Sequence, residues 1–288
     1  MKLPFYPRIS IVTPSFNQGN FIEETFNSIL NQKYPNLEYI VIDGGSTDET
    51  ISIIEKYASN LFFWVSESDN GQSDALNKGF KIATGDICGY LNSDDLYLNN
   101  CLWEVANSYI KYRFKWLSSD VICGKSIDKT NFFEHKTSSF EEFCAQQTIG
   151  QQGVFWEREA LSKPWFDNKL SYTMDHQFFI RLYRQYGPPK KLDLTTSFFR
   201  FHSEAKTSNL ENILINERLS IGEDAAIIAR NESEAARIRK EIIRLNLKIE
   251  GNKILNKLSL ENLSYKRYYL LVKIFVIFLQ APFPFRDR

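Results

Sequence analysis

The sequence predicts an α/β protein with a mostly parallel central sheet, helices on both faces, and a helical region at the carboxyl end. Over the first hundred residues, strand-like runs alternate with segments of helical period, which is typical of right-handed βαβ units. Each of these strands is followed by a polar or acidic loop. After residue 209 the strand signals end and helical period takes over.

Composition and period place the elements of the amino-terminal half. The first strand is β-branched and is expected to end at Pro14. Asp48 and Glu49 fall in the favourable first turn of the second helix. The predicted strands cover 9–13, 37–42, 61–65 and 87–91, and the predicted helices cover 21–30, 46–57 and 72–83.

The composition is that of an ordinary globular protein. Of the 288 residues 43% are hydrophobic and 24% charged, which is enough apolar material for a core. The 35 basic and 35 acidic residues give zero net charge, which argues against a nucleic-acid partner. No signal peptide is expected, and no apolar run is long enough to span a bilayer. Four widely spaced cysteines are typical of reduced residues in a cytoplasmic protein: Cys88, Cys101, Cys123 and Cys144.

The polar loops are expected to meet at one edge of the sheet. Ligands of open α/β sheets bind in the crevice at the carboxyl ends of the strands. A G-x-G-x-x-G turn is absent after the first strand and a G-x-x-x-x-G-K-[ST] loop is absent throughout, which argues against NAD enzymes and P-loop NTPases. The polar strand ends, which together favour a nucleotide and metal site, cover 13–17, 43–48, 69–77 and 92–95.

Two adjacent carboxylates, Asp94 and Asp95, follow the fourth strand. Neighbouring carboxylates repel each other unless a cation or hydrogen-bond donors lie between them. Mg²⁺ or Mn²⁺ would take oxygen ligands here and keep substrate phosphates in its shell. The alternative is a solvated turn that caps the next helix, since Ser and Asp are good N-cap residues.

Five ordered motifs stand in the first hundred residues: SIVTPSFN (10–17), EYIVIDGGSTD (38–48), DNGQSDALNKG (69–79), ATGD (83–86) and LNSDD (91–95). Together they resemble the family-2 glycosyltransferases, which have the GT-A fold. Later matches extend the resemblance to about residue 206. It implies a catalytic domain over 1–206, with a nucleotide-binding half of about 1–96 and an acceptor half of about 97–206, and a helical extension over 207–288.

The resemblance implies a nucleoside diphosphate sugar donor, with UDP as the expected nucleotide. Thr13 and Pro14 would line the base pocket, and Asp43 would hydrogen-bond the uracil or its equivalent. Asp43 could instead be a turn residue before the glycine pair, and Asp74 and Lys78 could form an intrahelical ion pair. The remaining donor contacts would be Asn17, Asp74, Lys78, Asp94, Arg200 and Lys206.

The metal site is expected at the family's D-x-D position, where Asn92 replaces the first Asp. Because Asn keeps an oxygen ligand but loses a charge, the metal contact falls on Asp94 or Asp95, with their division of labour open. The stretch FRFHSEAKT (199–207) resembles the family's loop that closes over the donor diphosphate. Its His202 could complete the metal shell or be a satisfied structural residue, and its Arg and Lys could pair with phosphate.

The middle of the chain carries the expected acceptor contacts. A helix is predicted over 96–116 and strands over 121–124, 132–135 and 192–201. The segment IGQQGVFW (149–156) resembles the family's acceptor-side segment, which makes Gln151 and Gln152 candidate hydrogen-bonding residues. Their alternative is an ordinary polar strand edge.

Asp175 stands before a predicted helix over 178–186, where the family places its general base. Attack on the anomeric carbon requires the acceptor hydroxyl to lose its proton, on the face opposite the departing diphosphate. One base opposite one metal implies a single displacement with inversion. The alternative for Asp175 is a helix N-cap, and one side chain can fill both roles. His176 titrates near neutrality but should point elsewhere and only support the site.

The carboxyl-terminal region is predicted to be helical over 210–229, 235–249 and 265–279. The last of these is strongly apolar, with Lys266, Arg267 and Lys273 on or near it. It is too short and too charged to span a membrane, but residues 265–284 could lie in the bilayer interface. Packing against the catalytic domain or against a homodimer partner is the alternative.

The expected function is that of an inverting, metal-dependent hexosyltransferase of polysaccharide biosynthesis, with a glycan or lipid-linked acceptor. The expected location is the cytoplasm or the inner face of the cell membrane. A sugar nucleotidyltransferase would carry a Gly-rich basic loop after the first strand, unlike residues 14–17. The other alternative is a non-catalytic nucleotide-sugar binding module, against which the joint presence of Asp94, Asp95 and Asp175 argues.

Overall fold

A computed structural model describes residues 6–127, 129–133, 138–160, 163–203 and 211–257. The strands are β1 Ile9–Ser15, β2 Leu37–Asp43, β3 Phe63–Ser66, β4 Ile87–Tyr90, β5 Leu96–Tyr97, β6 Trp116–Ser126, β7 Lys129–Phe133, β8 Val154–Glu157 and β9 Lys190–Arg200. The helices are α1 Ile22–Leu30, α2 Thr50–Tyr57, α3 Gln72–Ile82, α4 Cys101–Tyr112, α5 Phe140–Ala145, α6 Met174–Tyr186, α7 Glu211–Ile227 and α8 Glu232–Lys257.

The described strands form one sheet in the order β3-β2-β1-β4-β8-β6-β9-β5, with β7 paired to β6. The first four strands are parallel to one another. β8 then pairs antiparallel with both β4 and β6, and β9 runs parallel to β6. The predicted α/β fold is confirmed, with a parallel half that the amino-terminal motifs build and a mixed half that follows it.

Helices cover both faces of the parallel half, so β1, β2 and β4 are buried on both sides, whereas the edge strand β3 is partly exposed. Every residue of β1 is buried. Because neighbouring strand residues point to opposite faces, Ile11 lies in the core beneath α1 and α4, whereas Val12 lies in the core beneath α3. The two cores hold the strand ends at one edge, where the polar loops begin.

The first strand was predicted over 9–13, with Pro14 ending it, but β1 continues through Pro14 to Ser15. Pro14 pairs with Ile42 inside the β1–β2 ladder. The β4 ladder on the other side of β1 stops at Val12, whose carbonyl accepts the last bond from the Leu91 N–H. Because Pro14 faces that same side, its missing N–H removes no bond from the sheet.

The helix predicted over 96–116 was also wrong at both ends. Leu96 and Tyr97 form the short strand β5, which pairs antiparallel with β9. Asn100 adopts a left-handed conformation with φ of 66°, and α4 begins only after it. Trp116 already belongs to β6. The helical period of this stretch is real, but pairing with a strand one hundred residues away overrides it.

The described part of the carboxyl-terminal region, α7 and α8, packs on the α/β part of the chain. Ile221 of α7 and Ile238 and Ile242 of α8 are buried in the same core as Phe178 of α6. A Cβ on Gly222 would stand 2.3 Å from the Ile242 side chain, so glycine permits this close approach of α7 and α8. The helix predicted over 265–279 lies outside the described residues. Within them, no helix is both long and apolar enough to cross a bilayer.

Candidate active site

A cavity of about 410 Å³ opens where the carboxyl end of β4 faces the start of α6. Its lining includes Asn92 and Asp94, which follow β4, and Asp175 of α6. Gln151 and Arg218 also line it. The cavity therefore brings together four sequence-predicted site residues, Asp94, Gln151, Gln152 and Asp175, and adds Arg218, which the sequence did not indicate.

Asp43 organises the turn that follows β2. Its fully buried carboxylate accepts bonds from the N–H groups of Gly45 (3.0 Å) and Ser46 (2.8 Å) and from the hydroxyls of Ser46 (2.5 Å) and Ser66 (2.7 Å). Gly45 has a φ of 85°, which favours glycine. The turn-forming role is thus visible in the structure, and a contact between Asp43 and a nucleobase stays a prediction.

The loop after β1 is tied to the loop after β2 through Asn17. The Asn17 N–H donates to the Ser46 hydroxyl at 2.7 Å, and the Asn17 side-chain oxygen accepts from the Thr47 N–H at 2.9 Å. Asn17 reaches both partners with a φ of 52°, a conformation that Asn tolerates better than most residues. Thr13 is buried, and its hydroxyl bonds with that of Tyr39 at 3.1 Å.

Lys78 lies on α3, close to two carboxylates. Its ammonium nitrogen is 2.9 Å from a Glu67 oxygen and 3.6 Å from an Asp74 oxygen. The Glu67 bond raises the pKa of Lys78. The intrahelical ion pair that the sequence allowed is therefore present. Donor contacts by Asp74 and Lys78 remain a prediction.

The two adjacent carboxylates after β4 have different environments. Asp95 is fully buried, and its oxygens accept from the Gln152 amide (2.8 Å), the Asn92 amide (3.3 Å) and the Arg200 N–H (3.0 Å). Burial raises the pKa of Asp95 well above its ordinary value, and the Asp94 charge adds to this. Asp95 thus joins the loop after β4 to β8 and β9.

Asp94 faces the cavity instead. Its Oδ2 lies 2.9 Å from Nε2 of His202, and the rings of His202 and Phe21 are 4.3 Å apart. No cluster of three or more potential metal-ligating side chains occurs among the described residues. The structure thus brings together Asp94 and His202, two of the residues that the sequence predicted as metal ligands, and metal binding by them stays a prediction.

Arg200 holds the carboxylate loop in place. Its Nε donates to the Asp94 carbonyl at 2.9 Å, and its guanidinium forms an ion pair with Glu24 at 2.6 Å. The guanidinium also lies over the Phe21 ring. These contacts position Asp94, and a phosphate contact by Arg200 remains a prediction. Lys206, predicted to act beside it, lies outside the described residues.

The two glutamines predicted to bind acceptor are both buried, in a short 3₁₀ turn before β8. Gln152 also lines the cavity, but its amide nitrogen donates to Asp95. Gln151 donates to the Tyr90 carbonyl at 2.8 Å, while its Oε1 is buried and has no hydrogen-bond partner among the described residues. Gln151 therefore carries a buried unpaired acceptor atom on a residue that lines the cavity.

Asp175 lies in the first turn of α6, which begins at Met174, four residues earlier than predicted. The N-cap position belongs to Thr173, so Asp175 is not the cap. Asp175 Oδ2 accepts from the Gln147 amide at 3.1 Å, and Oδ1 accepts from the His176 N–H at 2.7 Å. A carboxylate in the first helical turn is favoured as an anion by the helix dipole.

His176 is buried beneath Asp175. Its Nε2 bonds with the Phe143 carbonyl at 2.6 Å, and burial lowers its pKa to about 4. A neutral imidazole held in this way fixes the start of α6 and is a poor candidate for a proton acceptor at the reacting centre.

Glu217 of α7 was missed by the sequence reasoning. Its carboxylate accepts from the N–H groups of Ser171 (2.6 Å), Tyr172 (2.7 Å) and Thr173 (2.9 Å), directly before α6. These N–H groups belong to the loop before α6, so Glu217 ties that loop to α7. No local motif marks Glu217, because its partners lie more than forty residues away.

The amino-terminal half of the chain matches the family model for glycosyl transferase family 2 over residues 10–153, which is half of the chain. The chain belongs to glycosyl transferase family 2. The matched segment carries the loops after β1, β2 and β4 and both glutamines of the cavity. This confirms the family resemblance drawn from the five ordered motifs.

Curated relatives match parts of this family-2 chain. An uncharacterized glycosyltransferase of Rickettsia typhi is 36% identical over 62% of this chain and 60% of its own length. A PGL/p-HBAD biosynthesis glycosyltransferase of Mycobacterium tuberculosis is 31% identical over 53% of this chain and 60% of its own. An uncharacterized glycosyltransferase of the same species is 37% identical over 32% and 35%. The chain thus spans 60%, 60% and 35% of the lengths of these three relatives, in that order.

Solved structures share the fold at low identity. Staphylococcus aureus TarS 1-349 in complex with UDP-GlcNAc has a TM-score of 0.67 at 19% identity, over 82% of this chain and 71% of that one. A Pyrobaculum calidifontis mannosyltransferase in complex with GDP-Man and Mn²⁺ has a TM-score of 0.61 at 16% identity, over 96% and 86%. These likenesses confirm the predicted GT-A fold.

Proposed function

We propose that this protein transfers a hexose-type sugar from a nucleoside diphosphate sugar to a hydroxyl of a glycan or lipid-linked acceptor, with inversion at the anomeric carbon. The observation that carries the proposal is the placement of two carboxylates in one cavity. Asp94, paired with His202, enters the cavity from the loop after β4, and Asp175 enters it from the first turn of α6. In-line displacement needs a leaving-group side and a base side of this kind.

Asp94 and His202 are the proposed metal ligands. Their oxygen and nitrogen atoms are 2.9 Å apart, and neighbouring ligands of an octahedral ion with bonds of about 2.1 Å lie about 3.0 Å apart. A carboxylate with an imidazole suits Mn²⁺, and Mg²⁺ can use the same carboxylate with water and phosphate. The ion would supply charge stabilisation to the departing diphosphate. Asp95, fully occupied by hydrogen bonds, is assigned to positioning Asp94.

The loops after β1 and β2 are the proposed donor site. Their mutual hydrogen bonds through Asn17 and Asp43 present a fixed edge beside Thr13 and Pro14. Lys78 and Arg200 would keep the local charge balanced near the diphosphate, with Lys206 as a further candidate. Solved neighbours with the same fold hold UDP, UDP-GlcNAc or GDP-Man, which supports a nucleotide-sugar donor without choosing the nucleotide.

Asp175 is the proposed general base. It would accept the proton of the acceptor hydroxyl as the new glycosidic bond forms and the bond to the diphosphate breaks. The Gln147 amide and the His176 N–H orient its two oxygens, and Glu217 fixes the loop that delivers it. Gln151 Oε1 is placed to accept a bond from an acceptor hydroxyl.

Turnover of UDP-sugars by the full chain tests the proposal without an identified acceptor. We expect slow hydrolysis of UDP-hexoses that requires Mn²⁺ or Mg²⁺ and stops when the ion is chelated. The assay separates the rivals as well. With pyrophosphate added, a nucleotidyltransferase would release UTP and a sugar 1-phosphate, and a binding module would bind UDP-sugar without releasing UDP. Either of those results would overturn the proposal.

A further inference from the structure

Arg218 is a charged residue that lines the cavity but has no role in the proposed function. It is half-buried on α7, next to Glu217, and its side chain lines the same cavity as Asp175 and Tyr172. Its charge acts on both Tyr172 and His176, which places it on the Asp175 side of the cavity rather than beside Asp94.

Arg218 has no anionic partner in the part of the chain that the structure describes. Its Nε is buried without a hydrogen-bond partner there. Burial also lowers the pKa of the guanidinium. The neighbouring carboxylate of Glu217 cannot serve, because three backbone N–H groups before α6 already occupy it.

Two other partly buried arginines each have a carboxylate partner, although Arg184 also keeps two nitrogen atoms without a hydrogen-bond partner among the described residues. Arg184 forms an ion pair with Glu234 at 2.8 Å, and Arg200 forms one with Glu24 at 2.6 Å. A guanidinium removed from water without a partner is costly, whereas a bound carboxylate or phosphate would satisfy it through paired hydrogen bonds. The contrast points to a partner that arrives with the substrate.

We propose that Arg218 is a specificity-determining residue that binds an anionic group, a phosphate or a carboxylate, on the acceptor. The inference rests on the proposed function and adds the chemical class of its acceptor. The acceptor is favoured over the donor diphosphate because Arg218 lies beside the proposed base, whereas Asp94 and His202 mark the leaving-group side.

Gln151 supplies the complementary half of this subsite. Its Oε1, unpaired among the described residues, needs a hydroxyl donor, and Arg218 needs an anionic acceptor of hydrogen bonds. A ligand that satisfies both carries a hydroxyl and a negative charge on one small scaffold. A hydroxylated phosphate such as a polyol phosphate unit has this character.

The test compares glycerol 3-phosphate with glycerol as probes, using calorimetry on the full chain saturated with UDP and Mg²⁺. Bound UDP occupies the diphosphate site, so the probe reports on the acceptor side. We expect at least a tenfold preference for glycerol 3-phosphate, the size of a charge-assisted hydrogen bond. R218Q should abolish the preference and R218K should keep part of it. R239Q is the matched control, since Arg239 is exposed on α8 and pairs with Glu223.

Three outcomes decide the matter. Loss of the preference in R218Q but not in R239Q, with unchanged thermal unfolding, supports the inference. An equal affinity for the two probes in the wild-type chain overturns it, and so does a preference that survives in R218Q. If the wild-type chain neither binds UDP nor turns over UDP-sugars, the proposed function fails instead, and the calorimetry keeps the two failures apart.

Discussion

The proposed donor edge, formed by the loops after β1 and β2, and the proposed acceptor edge, formed by Gln151 and Arg218 in the cavity, are built differently. At the donor edge, the loops after β1 and β2 satisfy one another, with Asn17 bonded to the second loop and Asp43 accepting four bonds from its own turn and from β3. At the acceptor edge, Gln151 and Arg218 keep polar atoms without partners among the described residues. The donor edge also has two buried atoms that are unpaired among the described residues, Ser15 Oγ and Gln18 Oε1, but its two loops are bonded to each other, whereas the unpaired Gln151 and Arg218 atoms belong to residues that line the cavity.

This difference explains what could be predicted from the sequence. The four parallel strands and their loops were predicted because local signals agree there: β-branched runs, helical period, and the Gly44–Gly45 turn. The acceptor side depends on long-range pairing. Arg218 and Glu217 contact residues more than forty positions away, in a region whose local pattern indicated only an extension.

The largest effect is expected from removing the proposed general base, Asp175. D175N should lower the rate of sugar transfer about a thousandfold, within the range of general-base catalysis, because the amide cannot take the acceptor proton. UDP affinity should remain, since Asp175 stands away from the donor edge. Single-turnover kinetics on a working acceptor would measure this.

The matched control is D193N, on an exposed carboxylate of β9 with no place in the cavity. It should behave as the wild-type chain. Transfer by D175N within threefold of that control would rule out Asp175 as the base.

The next effect separates Asp94 from Asp95. D94N should weaken Mn²⁺ binding and lower metal-dependent UDP-sugar hydrolysis about a hundredfold, because it removes the ionised ligand that faces the cavity. D95N should mainly lower the stability of the fold, by about 1–3 kcal/mol, since its new amide N–H₂ would face the donors of Gln152 and Arg200. Metal titrations and thermal unfolding of both variants would show the split.

A reversed result would be informative. If D95N lost the metal and D94N only lost stability, the buried position of Asp95 would have to open during catalysis. Gln152 donates to Asp95, and this role could not have been assigned from the sequence. The segment 149–156 resembles an acceptor loop, and the two residues are fifty-seven positions apart.

The smallest effect concerns the support beneath Asp175. The folded-state pKa of His176 is lowered to about 4 by burial, while an unfolded His titrates near 6.5. The unfolded chain therefore binds the proton more readily, and this group makes the protein lose stability as pH falls from about 6.5 towards 4. Below about pH 4 the full loss in free energy of unfolding from this group is on the order of 3 kcal/mol, which corresponds to the shift in its pKa.

Denaturant unfolding at pH 7 and at pH 4.5 would measure this contribution. The difference between the wild-type chain and H176Q isolates it, because the glutamine amide can still bond to the Phe143 carbonyl but does not titrate. H176Q should lose less stability on acidification. Parallel pH profiles for the two chains would mean that His176 is not held neutral in the fold. The Asp95 carboxyl, whose pKa is raised, contributes the opposite slope in both chains and cancels.

The anomeric configuration of the first-formed product tests the central claim most directly. The account places the leaving-group side at Asp94 and the base at Asp175, and so requires a single displacement. When the full chain hydrolyses UDP-α-N-acetylglucosamine or UDP-α-glucose with Mg²⁺, proton NMR before mutarotation should show the β-anomer of the free sugar. A first-formed α-anomer would contradict the arrangement of the two sides.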